Sequence, residues 1–215
     1  MQGGIKVSLL IGSVPQPASQ EVMEALSAAK VDAGAGESQA GFELSFDLPR
    51  RSPLRMQFLL DSGGSSLKLM RVVLVVQIGG HAVQVIDGVT TNVETQPAEG
   101  GVSKLTVKGK DMSALMDIDE RSGIPYSGLS RAERVKLVLQ RYEALGVRAT
   151  VIESIVEDTP LKTDRIPQQR GSDYAYVKRL ARDAGYVFEF HSPSPDDCGV
   201  RSADRRPMAR TSGRV

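Results

Sequence analysis

Side chains able to hold a metal, a phosphate or a moving proton occur in this chain, but each grouping breaks at a nameable position. The stretch "DIDERSGI" places Asp117 and Asp119 at the alternating ligand positions of a calcium loop. Arg121 occupies the next ligand position and brings a cation, Ser122 stands where the loop turns on glycine, and Gly128 where it needs a bidentate glutamate. That composition suits a solvated acidic turn. The run "GKD", Gly109 to Asp111, lacks the hydroxyl residue that a phosphate loop places on magnesium, and reads as a strand end. "GAGESQAG", Gly34 to Gly41, lacks the third glycine of a dinucleotide fingerprint and precedes a strand where that fingerprint opens a helix, so a hairpin loop fits it better. His81 and His191 are far apart, and Cys198 is the single cysteine, so no His or Cys pair has metal spacing and no internal disulfide is available. Many carboxylates are present, yet nothing singles out two as an acid and a base. No catalytic, cofactor-binding or metal-binding residue is assigned, no cofactor is implied, and the chain is expected not to be an enzyme.

A chain of 215 residues with 40% hydrophobic content can bury one large or two small cores. Lysine and arginine number 27 against 26 aspartate and glutamate, so no net field favours nucleic acid or an anionic membrane, and neither is an expected partner. The opening "MQGGIKVSLLIGSVPQP" carries an apolar run that alternates as a strand does and is too short to cross a bilayer. It is read as neither a signal peptide nor an anchor.

The first half is written in period two. Ile5, Val7, Leu9 and Ile11 alternate with Lys6, Ser8 and Leu10, and Phe42, Leu44, Phe46 and Leu48 alternate with Glu43, Ser45 and Asp47. Between them Val22, Leu26 and Ala29 share one helical side behind a Ser19 cap, which predicts a helix over 19–29. Two apolar runs flank Gly79 and Gly80, the signature of a tight hairpin, and a further turn is expected at Asp87 and Gly88. "KLTVKGKD" follows a turn at Gly100 and Gly101. Residues 5–110 should therefore be mostly antiparallel strands, with Phe42, Leu44, Phe46, Val73, Val75, Val85, Leu105 and Val107 buried.

After Asp111 the pattern changes. "DMSALMDIDE" leans helical and "RSGIPYSG" reads as a loop. Ser130 and Glu133 stand at capping-box spacing ahead of Val135, Val138, Leu139 and Tyr142, with Gly146 as the stop. "VRATVIESIV" can form a strand, and "EDTPLKTDRIP" a linker. A last module closes the pattern: Ser172 or Asp173 as cap, Val177, Leu180, Ala181 and Ala184 at helical spacing, Gly185 as stop, then the strand-like "YVFEF".

The succession "VIDGVTTNVETQPAEGGVSKLTVKGKDMSALMDIDE", "GIPYSGLSRAERVKLVLQRY" and "DRIPQQRGSDYAYVKRLARDAGYVFEF", with "VPQPASQEVMEALSAAKV" and "GFELSFDL" before it, resembles the phage late control gene D protein family. These are tail hub proteins of contractile phages, related to the hubs of extracellular contractile injection systems and to the hub part of type VI secretion spikes. The resemblance covers residues 3 to 192. It implies an α+β, mainly β chain: a small antiparallel β-barrel-like hub domain over 1–115, then an α+β second hub domain over 116–192. It also implies a structural baseplate role, homotrimers joining a three-fold spike to a six-fold tube, with a spike protein and tail tube or baseplate proteins as partners. Such a protein is made in the bacterial cytoplasm without a signal peptide and assembled into a tail or injection particle. The chain departs from the family after "YVFEF", where a Tyr-Trp-Gly-Pro-like segment would continue the second barrel. Residues 193–215 instead include five arginines in the last fifteen and few large apolar side chains, so the second domain is expected to be incomplete and the tail disordered. A chain of this length is expected to be monomeric or polydisperse, and trimeric only with the later strands restored. Two other classes stand beside the hub: a stand-alone β-barrel module binding a peptide or glycan, which a groove lined with aromatics would favour, and a spike-associated cell-wall hydrolase, which a close carboxylate pair would favour.

Overall fold

The computed structural model describes residues 5–34, 38–49, 70–97, 102–147, 150–151, 166–188 and 190. Seven strands form one antiparallel sheet: β1 (Lys6–Gly12), β2 (Gln16–Pro17), β3 (Leu26–Asp32), β4 (Gly41–Pro49), β5 (Arg71–Ile78), β6 (His81–Pro97) and β7 (Val102–Asp111). Their spatial order is β2-β1-β5-β6-β7-β4-β3. The fold is thus mainly β with a helical second part, as the sequence implies. The expected barrel is an open sheet among the described residues, with β2 and β3 at its edges.

β6 explains the shape. Its first half, His81–Val89, pairs with β5, and its second half, Gly88–Pro97, pairs with β7. A turn expected at Asp87 and Gly88 is in fact the middle of this 17-residue strand, where the two ladders overlap. Glycine is required there for a different reason. A Cβ on Gly88 would stand 2.1 Å from the Lys110 carbonyl oxygen, and one on Gly109 would stand 2.2 Å from the Phe42 ring. The ring of Phe42 thus lies across two strands that carry no side chain beneath it. The turn does occur at Gly79 and Gly80, whose φ of 58° and 89° are those of a two-residue hairpin loop.

β7 alternates buried and outward residues, and its inner side puts Leu105 and Val107 against Phe46 and Leu44 of β4. With Leu9, Phe42, Leu48, Val72, Leu74 and Ile86 they form the first core, capped by Val22. Val22 sits on α1 (Gln20–Ala25), where the Ser19 hydroxyl accepts from the Val22 amide as expected. The helix stops four residues short of the predicted end because Leu26 enters β3. Of the residues expected in the core, Val75 is half-buried and Val85 exposed. The cause is a bulge: Leu74 pairs with Ile86 but Val75 with Gln84, so Val85 falls out of register.

A 3-10 segment, Met112–Asp117, leads to a second core of Met116, Tyr126, Val138, Leu139, Tyr142, Val147, Tyr176, Val177 and Leu180. It is built on α2 (Arg131–Gln140) and α3 (Asp173–Asp183). The capping box at Ser130 is complete, with the Glu133 amide donating to Ser130 Oγ and the Ser130 amide to Glu133 Oε2. Ser172 is the cap of α3, accepting from the Ala175 amide, and Gly185 takes a left-handed φ of 75° beyond it. Tyr186–Phe188 are irregular where a strand was expected. Most of "VRATVIESIV" and of the linker lies outside the described residues, as do the Gly100–Gly101 turn, His191, Cys198 and the basic tail.

Candidate functional site

The stretch read as a loop, "RSGIPYSG", meets the end of the linker and the start of the last module as a short antiparallel ribbon. The Gly123 amide donates to the Gln169 carbonyl, the Gln169 amide to Ile124, and the Tyr126 amide to Pro167, each within 2.9 Å. This ribbon delivers Gln169 and Asp173 beneath the C-terminal end of α2, and both side chains are fully buried.

Asp173 is the hub of a buried polar cluster. Arg141 Nη1 donates to both carboxylate oxygens at 2.9 and 3.0 Å, the Tyr142 hydroxyl donates to Oδ2 at 2.8 Å, and Gln169 Nε2 donates to Oδ1 at 2.6 Å. Tyr126 donates its hydroxyl to Gln169 Oε1 at 2.7 Å and stacks on Tyr176, 5.5 Å between centroids. Arg134, itself buried, reaches the Tyr176 hydroxyl. Arg121 Nε lies 3.6 Å from Asp173 Oδ2, an ion pair too long for a hydrogen bond, so that nitrogen is buried without an acceptor. Burial, then the hydrogen bond to Asp173 and its charge, hold the Tyr142 hydroxyl well above its ordinary pKa. Burial likewise raises Tyr126, against the opposing pull of Arg141. For Arg141 burial disfavours the charge, but the Asp173 carboxylate outweighs it and the pKa ends above the usual arginine value. A buried carboxylate satisfied on every side has no lone pair to spare for a substrate. Its effect is to fasten three chain segments together.

The sequence candidates are scattered rather than gathered. Asp117 accepts from the Ser172 hydroxyl while Asp119 faces Arg121, so the two do not converge on one cation position. Among the described residues no group of three or more His, Cys, Asp or Glu side chains is placed to hold a metal. Gly109–Asp111 ends β7, as read. His81 is exposed at the start of β6. Asp111 accepts from the Ala40 amide at 2.8 Å and the Ser113 amide at 2.9 Å, joining the β4 entry to the 3-10 segment. Sequence reading missed the Asp173 cluster because its members stand at 121, 126, 141, 142, 169 and 173 without a motif. The available signal was the pairing of a first-turn aspartate with arginine and tyrosine at the end of another helix.

Between the two cores opens a cleft of about 510 Å³. Its floor is Gln84, Val85 and Ile86 of β6, and Tyr174, Phe188 and Phe190 form one wall. Tyr174 and Phe188 meet edge to face at 5.8 Å. Gln84 Nε2 is buried with no hydrogen-bond partner.

No protein-family model matches the chain, and no curated protein does. Among solved structures it is similar to the tail protein from Neisseria meningitidis MC58, with a TM-score of 0.50 and 14% identity over 85% of this chain. It also aligns with chains of the Francisella PdpA-VgrG complex, in the half-lidded form at a TM-score of 0.41 and 15% identity over 62% of the chain, and in the lidded form at 0.43 and 12% over 76%. The chain spans 46% of the Neisseria tail protein and 21% and 24% of those two Francisella chains. At these identities the likeness is one of fold.

Proposed function

We propose that the chain is a structural component of a contractile phage tail or injection particle, acting in its baseplate hub between a three-fold spike and a six-fold tube. The carrying observation is the fold it shares with the Neisseria tail protein over 85% of its length. The order of sequence segments that resembles the late control gene D family supports the same reading. A rigid scaffold needs buried polar groups fastened to one another more than it needs an open reactive group, and the Asp173 carboxylate, which accepts from Arg141, Tyr142 and Gln169, is of the first kind. On this reading the partners are a spike protein and tube or baseplate proteins, and the protein has no turnover of its own.

The test is co-expression of the tagged chain with the spike and tube proteins of a contractile tail. Recovery of both in fixed stoichiometry, at a position between spike and tube in electron micrographs, is expected. Particles that assemble normally without the chain, or muramidase, amidase or nucleotide hydrolysis lost on changing a single carboxylate, would overturn the reading.

A further inference from the structure

Among the described residues the first half of β6 has one occupied edge. Among the described residues, His81–Asp87 pairs only with β5, because β7 ends at Asp111 opposite Gly88 and the chain turns into the 3-10 segment. The cleft opens over this stretch. A strand edge presents backbone amides and carbonyls at alternate residues, so what satisfies it must itself be extended backbone. Gln84 Nε2, buried and unpartnered in the floor, asks for an acceptor such as a peptide carbonyl. The charged group in the lining, Asp111, already accepts on both oxygens from Ala40 and Ser113, so the cleft offers no uncommitted charge. An incoming lysine or glutamate would be desolvated without compensation. The wall of Tyr174, Phe188 and Phe190 is suited to an apolar side chain, and Val85, 41% exposed, to its neighbour two residues on.

We propose that this cleft is a docking site for an extended, uncharged peptide segment of a partner protein, which adds to the sheet along the open edge of β6. Backbone pairing supplies the attachment, and the aromatic wall selects an apolar residue at one position. Docking of this kind is independent of the role proposed above, since its assay needs no particle.

The probe is a fluorescein-labelled peptide, Ser-Thr-Val-Thr-Val-Thr-Val-Thr-Ser, amidated at its C-terminus, with two versions N-methylated on alternate residues. Binding is followed by anisotropy, and amide exchange in 83–86 by mass spectrometry. The unmodified peptide should bind and slow exchange there. One methylated version should lose at least tenfold in affinity while the other does not, because only one set of amides faces the sheet. Gln84→Leu should weaken binding about fivefold, the worth of one hydrogen bond. Equal binding of all three peptides would mean attachment without strand pairing, and would overturn the proposal. So would unchanged exchange at millimolar peptide, or slowing that depends on protein concentration alone, which would make a second copy the occupant.

Discussion

The Arg71 guanidinium grips Asp87 with two arms, Nε to Oδ1 at 2.7 Å and Nη2 to Oδ2, and extends the third, Nη1, to the Leu145 carbonyl at 3.2 Å. One side chain of β5 thereby joins the sheet to the turn that ends the α2 region. The Asp87 side chain is only 3% exposed. Removing its partner strands a buried carboxylate, so Arg71→Met should destabilise by about 3 kcal/mol in urea unfolding. Arg71→Lys should recover only part, because an ammonium cannot reproduce the planar fork.

The Asp173 cluster should be costlier to break at its centre than at its rim. Asp173→Ala leaves Arg141, Tyr142 and Gln169 without their shared acceptor and should cost about 3–5 kcal/mol. Tyr142→Phe removes one hydrogen bond to a charged group and should cost about 2 kcal/mol. Equal losses would mean that the carboxylate is not the organising group.

Alkaline pH should act through the same tyrosines. Their folded-state pKa values are raised, so above the ordinary tyrosine pKa the unfolded chain releases protons that the folded chain retains. Stability is therefore complete below that point and falls as pH rises through it. Phenolate absorbance at 295 nm should lag for two of the five tyrosines until the protein unfolds, and Tyr142→Phe should flatten the loss.

At the acid end Glu133 has the opposite sign. Hydrogen bonds from the Ser130 backbone and then its side chain lower its pKa, so its contribution is present above the unfolded value and fades as pH falls through the folded one. Glu133→Gln should flatten thermal stability across that acid window, lowering it at pH 7 and leaving it little changed at the acid end where Glu133 is already protonated.

Gly88→Ala and Gly109→Ala should each cost about 1–3 kcal/mol or more by overpacking, since their Cβ atoms would strike the Lys110 carbonyl and the Phe42 ring. Gly80→Ala meets no atom within 4 Å and pays only for its positive φ of 89°. Its denaturation midpoint should shift less than either.

Local signals were legible and shared ones were not. Ser19, Ser130 and Ser172 each cap the helix that their spacing announced, because a cap is decided within four residues. The Gly79–Gly80 hairpin was readable for the same reason. Gly88 was misread as a turn because its need comes from Lys110 and Phe42, which are remote in sequence. Val85 was misread because a bulge depends on the partner strand's register. The Asp173 cluster has no period or motif, since its members are brought together by tertiary packing alone, and the cleft is likewise a relation between two cores.

The strand order also sets a sequence of events. β5, β6 and β7 are consecutive, so their pairings close short loops, whereas β1 must find β5 and β4 must find β7 across more than fifty intervening positions. Loop closure of that length is entropically slow, and local pairings form first. The meander centred on β6 is thus the natural nucleus, and the amino-terminal strands, though made first, are the last to dock, two on each flank. Substitutions within β6 should slow folding, whereas those in β1 or β3 should chiefly hasten unfolding.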